Sequence, residues 1–474
     1  MSKILRWKKR PSRLLRTSYA LIALLIVTAA IAQTPDPMQA RRVAIWGSSV
    51  ANGTGDELQQ GGYAGQLKKL MQSRDWQVFS QSRDGDSTVT ITERFAPGEQ
   101  PDPQTKYLTS VSPNYVVIGL SLGNEGIAQC QLGQSSDCAS TKDAAEAIFE
   151  QFASGLQQLI SRARIAGITP IVTLPYARSD FWEREYTFTR RMNLLINSWD
   201  VPSVNLLGAI DDGQGRWARG MWSDPWHPNS AGYTEMFHAF VPSLFDALEA
   251  GKPLPRTSHA SGFARIRKNV AMPIWFDVDD TMRSFTLSFK VRPGDDGVIA
   301  AVHGQSLDQD YSIVRRTYGN FQWDTESLDL QPAEPFSAML SISNGSIRYR
   351  ASAGSAVSAP AVVTGAWHYV TLSHYAARGE SLLYVDGELA GKVDERLQPL
   401  QFVLGGSARA DYRDWMIHRA GLNADEVRTL HDGGLLQASM EIYAPLTPED
   451  GIENRAQSLS EIQLDSEAVR LLSD

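Results

Sequence analysis

Cysteine is nearly missing from this chain of 474 residues: only Cys130 and Cys138 occur. So few thiols, without close His or Cys partners, exclude a cysteine-ligated metal centre. There is no excess of positive charge either, with 45 Lys and Arg against 53 Asp and Glu and a net charge of −8. Seven of the basic residues, Lys3, Arg6, Lys8, Lys9, Arg10, Arg13 and Arg16, lie in the first 32 positions, which hold no acidic residue. The remainder is therefore more acidic still, and a nucleic-acid partner is not expected. No apolar run reaches the ~18–20 residues that span a bilayer. Internal repeats and low-complexity blocks are absent, and the stretch after Pro448 lacks aromatic residues.

What the N-terminus does have is the basic cluster, an apolar run from Tyr19 to Ala32 and the small-residue ending Ala30-Ile-Ala32. That order is the layout of a secretory signal peptide over residues 1–32. The expectation is a secreted or periplasmic protein, the alternative being a membrane anchor left uncleaved. In an exported chain the close pair Cys130 and Cys138 reads most simply as a disulfide closing one loop, contributing roughly 2–3 kcal/mol on the chain-entropy model.

The 42% hydrophobic and 21% charged residues are those of a globular protein, and the length suggests more than one domain. From residue 41 to 250 short apolar segments alternate with helical periodicity. Strands are expected at Val43–Trp46, Trp76–Ser80, Tyr115–Leu120, Thr169–Leu174 and Ser203–Leu207. Helices are expected at Tyr63–Gln72, Asp143–Ala166, Trp182–Ser198 and Ala231–Ala250. This alternation predicts an α/β three-layer, flavodoxin-like domain on a parallel sheet. Residues 251–262 read as a polar linker. Beyond them, alternating runs at Ser284–Val291, Gly297–Val302, Ala338–Ser343, Ser346–Ala351, His368–Ser373 and Ser381–Val385 are broken by Asp295-Asp-Gly, Asn344-Gly and Asp386-Gly. Those are hairpin signals, and they predict an all-β sandwich over 263–446. Residues 447–474 read as an acidic tail with one short helix at Asp465–Leu472.

Four segments of the first part hold residues suited to acyl transfer, each after a predicted strand. They are Gly47-Ser-Ser49, Arg83-Asp-Gly-Asp86, Gly123-Asn-Glu125 and Asp224-Pro-Trp-His227. A serine hydroxyl needs an imidazole to take its proton, a carboxylate to orient the imidazole, and donors for the oxyanion. Ser49, His227 and Asp224 supply the first three. A glycine at 85 admits close backbone approach, and the Asn124 amide is an uncharged donor. Ser48 is an alternative nucleophile if the turn is offset by one residue. An Asp beside the imidazole stabilises the imidazolium that forms on attack.

In order and content these four segments resemble the SGNH (GDSL-type) hydrolases. The resemblance implies Ser49 as nucleophile, His227 as general base and Asp224 as its orienting residue. It also implies an oxyanion hole from the backbone N–H of Ser49 and Gly85 and the side chain of Asn124. The chain departs from the family pattern at Ser48, Leu122 and Glu125, where an acidic residue, a glycine and an aspartate are usual. Trp46 and Trp226 flank the site in sequence and are candidates for substrate contact.

In the second part, Gly365-Ala-Trp-His-Tyr-Val and Leu383-Tyr-Val-Asp-Gly387 resemble the laminin-G/concanavalin A-like superfamily, which implies a jelly-roll sandwich. Such domains often bind glycans, sometimes with calcium, and Asp277, Asp279, Asp280 and Asp411 are candidate calcium ligands. The hydrolysis itself requires no cofactor or metal. The expected function is an exported serine esterase removing acetyl or other short acyl groups, most simply from a carbohydrate. The alternatives are a glycan-binding or adhesion protein on a degenerate hydrolase scaffold, and a lipase or arylesterase of the same family.

Overall fold

The computed structural model describes residues 41–129, 138–318, 321–361 and 364–474. The leader and Cys130 lie outside the described residues, and with them the expected signal peptide and disulfide. Five parallel strands, β1 (Arg42–Gly47), β2 (Gln77–Ser80), β3 (Tyr115–Gly119), β4 (Thr169–Thr173) and β5 (Ser203–Val204), form one sheet in the order β2-β1-β3-β4-β5. Each predicted strand of this part is present, within a few residues of its expected ends. Successive residues of β1 enter opposite faces: Val43 and Ile45 join one apolar cluster, Ala44 and Trp46 another. Burial on both faces explains why the strands read as continuous apolar runs rather than alternating ones.

The helices of this part are α1 (Ser49–Asn52), α2 (Gly62–Gln72), α3 (Lys142–Ile165), α4 (Glu183–Asn197), α5 (Leu207–Ile210), α6 (Ser230–His238) and α7 (Leu244–Glu249). Side chains of α2, α6 and α7 cover one face of the sheet and those of α3 and α4 the other, giving three layers. The helix expected across Ala231–Ala250 is two helices. Pro242 lies between them, where its missing N–H and its ring interrupt the ladder.

Residues 263–472 build two antiparallel sheets, of eight and seven strands. Their facing side chains, among them Phe276, Phe285, Phe289, Val302, Leu340, Phe402 and Trp415, share one buried core. A helix, α8 (Ala424–His431), lies against this sandwich. The C-terminal stretch corrects the sequence reading: Val469–Leu472 is a strand paired with Phe263–Ile266, and Gln463–Leu464 pairs with Ile274 and Trp275. Pairing with these edge strands overrides the local helical pattern.

Two strands far exceed expectation. Gly297–Tyr318 and Phe321–Ser343 pair along their whole length. Their other neighbours reach only to Ser306 on the first and begin at Met339 on the second, so between those points the pair projects as a two-stranded arm. The polar run Gly304-Gln-Ser-Leu-Asp-Gln-Asp310 has no sheet-like alternation, because this ribbon has no single buried face.

The two parts are packed against one another. The Gly421 N–H donates to Gly208 O at 3.0 Å, and that of Ser439 donates to Ser203 O at 3.1 Å. The Asn205 amide donates to the buried Glu426 carboxylate at 3.0 Å. Burial pushes the Glu426 carboxyl up to about 7, against hydrogen bonds from Asn423 and Asn205 that pull it down. A folded-state value above the unfolded one means that the folded protein holds this proton more tightly. The group's contribution is then most favourable below about pH 4.5 and is lost as pH rises towards 7. Glu426→Gln, which has no proton to lose, is therefore expected to gain stability relative to the parent between pH 5 and pH 8. The gain should be on the order of 1–3 kcal/mol, read from urea unfolding at both pH values; an unchanged difference would show that Glu426 does not titrate in this range.

Candidate active site

The site begins where β1 ends. Gly47 closes that strand against β3, and a Cβ there would stand 2.1 Å from Gly119 O, so only glycine allows the strands to converge. The Ser48 N–H then donates to Gly119 O at 3.1 Å, and the chain turns directly into α1 with Ser49 as its first residue. Ser49 thus stands at the carboxyl end of a central strand, where open α/β sheets place their ligands.

His227 Nε2 lies 3.0 Å from Ser49 Oγ, across 178 residues of sequence. On the other side of the ring, Nδ1 lies 2.8 Å from Asp224 Oδ2 and 2.9 Å from Oδ1. In the tautomer protonated at Nδ1, the ring donates to Asp224 and presents a free Nε2 lone pair to the serine hydroxyl. Asp224 also accepts the backbone N–H of Trp226 at 2.8 Å and of His227 at 2.9 Å. Burial pushes this carboxyl up, but the hydrogen bond and charge of His227 and the two backbone donors outweigh it, so its pKa lies below the usual value. The carboxylate therefore remains charged through the range in which an imidazole titrates. Segments β6 (Trp222–Asp224) and β7 (His227–Pro228) pair with each other and form the frame of this turn.

The serine that meets the imidazole is Ser49. Ser48 is fully buried, and its hydroxyl faces the phenol of Tyr176. Its place in the family pattern is taken up by packing.

The other two segments close the same corner. Asp84 accepts from Asn52 Nδ2 and Thr54 Oγ1, each at 2.9 Å, tying the 83–86 turn to α1. Gly85 has φ +80°, a left-handed conformation that favours glycine, and no atom lies within 4 Å of where a Cβ would be. Asn124 Nδ2 donates to Asp86 O at 3.1 Å, bringing the amide to the same turn. Asp86 itself forms a buried ion pair with Arg94, whose guanidinium also donates to Gln81 O and Lys106 O at 2.8 and 2.7 Å. Glu125 accepts the Thr88 N–H, so this departure from the family pattern serves as a strut between the two turns. Burial pushes the Glu125 carboxyl up, against that hydrogen bond.

The two tryptophans diverge. Trp46 is fully buried and packs edge-on to Phe95 at 5.9 Å, so it is a core residue and not a substrate contact. It lies on β1 before the glycine turn, pointing into the α3 side of the sheet. Trp226 is 50% exposed beside His227, with its indole N–H on Asp180 Oδ2 at 3.2 Å. Asp180 in turn pairs with Arg178 through two hydrogen bonds of 2.9 and 2.6 Å, and Arg178 lies directly over Gly123. Arg178 and Asp180 thus bridge the Asn124 and His227 segments. Sequence reasoning missed both, although their place in Leu174-Pro-Tyr-Ala-Arg-Ser-Asp180, just past β4, was a usable signal.

The candidate calcium ligands are not assembled. Asp411 pairs with Arg265 and Arg292, Asp280 with Arg74, and Asp277 accepts from Gln401 and Gln463. Among the described residues, no group of three or more His, Cys, Asp or Glu is placed to hold a metal ion.

Residues 45–234 match the model of the GDSL-like Lipase/Acylhydrolase family. No curated protein matches the chain. Among solved structures, the chain is similar to a GDSL-like lipase from Bacteroides thetaiotaomicron, with 14% identity and a TM-score of 0.31 over 45% of this chain and 90% of that one. It is also similar to an acetylxylan esterase from Geobacillus stearothermophilus, with 13% identity and a TM-score of 0.30 over 42% and 92%. A third is a pentraxin from Limulus polyphemus, with 15% identity and a TM-score of 0.23 over 45% and 94%. The chain carries, over residues 45–234, a hydrolase domain of the GDSL-like lipase/acylhydrolase family.

Proposed function

We propose that the protein is an exported serine esterase that removes acetyl or other short acyl groups from a carbohydrate. The observation that carries this reading is the unbroken path from Ser49 Oγ through His227 to Asp224, at 3.0 and 2.8 Å. In the proposed reaction, Ser49 Oγ attacks the ester carbonyl carbon while His227 Nε2 takes the hydroxyl proton. The Asp224 carboxylate stays ionised and pairs with the imidazolium. The negative oxygen is held by the backbone N–H groups of Ser49 and Gly85 and by Asn124 Nδ2. Collapse of the tetrahedral intermediate breaks the C–O bond to the alcohol, which leaves with the proton from Nε2. Water then attacks the acyl-serine with the same base and releases the carboxylic acid.

The preference for a sugar rests on Trp226. Its ring is exposed beside the base and its edge is fixed by Asp180, which favours stacking on the flat face of a pyranose. Arg178, Asp180 and Asn124 make the surroundings polar, a poor lining for a long acyl chain. Glycan binding by the sandwich remains part of this proposal, with the sandwich presenting the polymer.

Ser49→Ala should lower kcat on 4-nitrophenyl acetate by at least ~10⁴-fold, and Asp224→Asn by ~10²–10⁴-fold. Retained activity in Ser49→Ala would refute the assignment of the nucleophile. Trp226→Ala should raise KM on acetylated oligosaccharides several-fold while leaving that for 4-nitrophenyl acetate within about twofold. An equal change on both substrates would remove the case for sugar stacking.

A further inference from the structure

The turn that carries Asp224 and His227 has little backbone pairing of its own, only the short β6 and β7. The Ser179 N–H and the Trp217 indole hold Pro225 O, and Asp180 holds the Trp226 indole. Further restraints come from the arm, far along the chain. The Trp323 indole N–H donates to Ser223 O at 2.8 Å, one residue before Asp224. The Leu328 N–H donates to Gly220 O at 3.0 Å, a backbone hydrogen bond from the arm to the start of the turn. Arg219 makes a two-pronged pair with Glu326 at 2.6 and 2.7 Å. Asn229 Nδ2, which holds Gly220 O at 2.8 Å, also reaches Ser327 Oγ at 3.4 Å.

The opposite rung of the ribbon secures the far side. Arg316, paired in register with Trp323, is 8% exposed and lies 3.1 Å from Glu57. Glu57 accepts the Ser230 N–H at 2.8 Å, three residues after His227. Between these anchors the chain at Gly55 is pressed against Ser223 and His227, leaving no room for a Cβ. A two-stranded ribbon alone is at best marginally stable in water. This one is docked: Leu307, Leu328 and Leu330 pack with Ala218 and Met221 of the hydrolase part. Docking and the shape of the turn therefore support each other.

We infer that the arm of the β-sandwich is a working part of the hydrolase site, with Trp323 as a positioning residue that holds Asp224 in register with His227. The inference rests on the proposed roles of Ser49, His227 and Asp224. Trp323 touches no reacting atom. Its hydrogen bond fixes the Ser223–Asp224 peptide, and displacement of such a group by about 1 Å can cost on the order of 10²-fold in rate. The sandwich is on this account more than a tether: the sequence 41–250 holds the reacting groups but lacks the restraint that Trp323 places on Ser223.

The test is the second-order rate at which a fluorophosphonate labels Ser49 in the full chain, a readout that needs no knowledge of the natural substrate. Trp323→Phe keeps an aromatic side chain, though a smaller one, and removes the donor; it should slow labelling by ~10-fold, the loss of one hydrogen bond of about 1.4 kcal/mol. In an Asp224→Asn background the same change should add little, because its effect passes through Asp224. Arg315→Ala, which breaks an exposed pair with Asp324 on the same arm, should label at the parent rate. Parent-like labelling of Trp323→Phe overturns the inference, as does a full additive loss in the Asp224→Asn background. An equal loss in Arg315→Ala would reduce the arm to a general stabiliser and also overturn it. Failure of the parent protein to label at all would instead sink the esterase reading, so the two failures are distinct.

Discussion

The arrangement depends on one carboxylate. Asp224 accepts the imidazole N–H of His227 and two backbone N–H groups of its own turn, so the same anion orients the ring and folds the segment that carries it. Four residues suffice for this because Pro225 and Pro228 restrict the turn on either side of Trp226 and His227. A carboxylate with three donors stays ionised despite partial burial, and its charge is what makes an imidazolium acceptable next to it. Other contacts at the site bring Ser49 to Nε2, keep this turn in place or hold the Asn124 amide.

Two kinds of support do that work. On the Ser49 side they are local to the α/β domain: the glycine contact of β1 with β3, the Asp84 bonds to α1, and the buried Asp86–Arg94 pair behind the Asn124 amide. On the His227 side they come from both parts: Ser179 and Trp217 on Pro225 O and Asp180 on Trp226 within the domain, and Trp323 and Leu328 from the arm. The division follows from topology. The serine segment leaves β1, which β2 and β3 hold on either side, whereas the histidine segment lies outside that sheet, in the short β6–β7 pair. The interface at Glu426, Asn205 and Gly421 fixes where the sandwich sits, and with it where the arm reaches.

Much of the hydrolase part was legible. Its five strands bury both faces and so appear as compact apolar runs, and Ser49, Gly85, Asn124, Asp224 and His227 each follow one of them. The reading faltered where long-range packing overrules local pattern. Trp46 is adjacent to the site in sequence, yet the two-residue period of β1 turns it into the core. Val469–Leu472 has a helical pattern and becomes a strand because an edge at Phe263–Ile266 is open to it. Of the aspartates considered for calcium, Asp277, Asp280 and Asp411 are met by arginines and amides that no spacing rule could have placed beside them. The arm escaped notice because it lacks a single buried face, and alternation is the signal by which a strand is recognised.

The sequence by itself determined the chemistry on offer: a hydroxyl, an imidazole, a carboxylate and an amide in an order that a parallel sheet brings to one edge. It also determined the local turns, since glycines and prolines restrict backbone angles without reference to distant residues. Only the tertiary structure decided which of two adjacent serines faces the imidazole. That choice depends on the exact residue at which β1 turns into α1, set by Gly47 lying against Gly119 on a neighbouring strand. It alone also brought Trp323 to Ser223, because two residues a hundred positions apart become neighbours only after both domains have folded and docked.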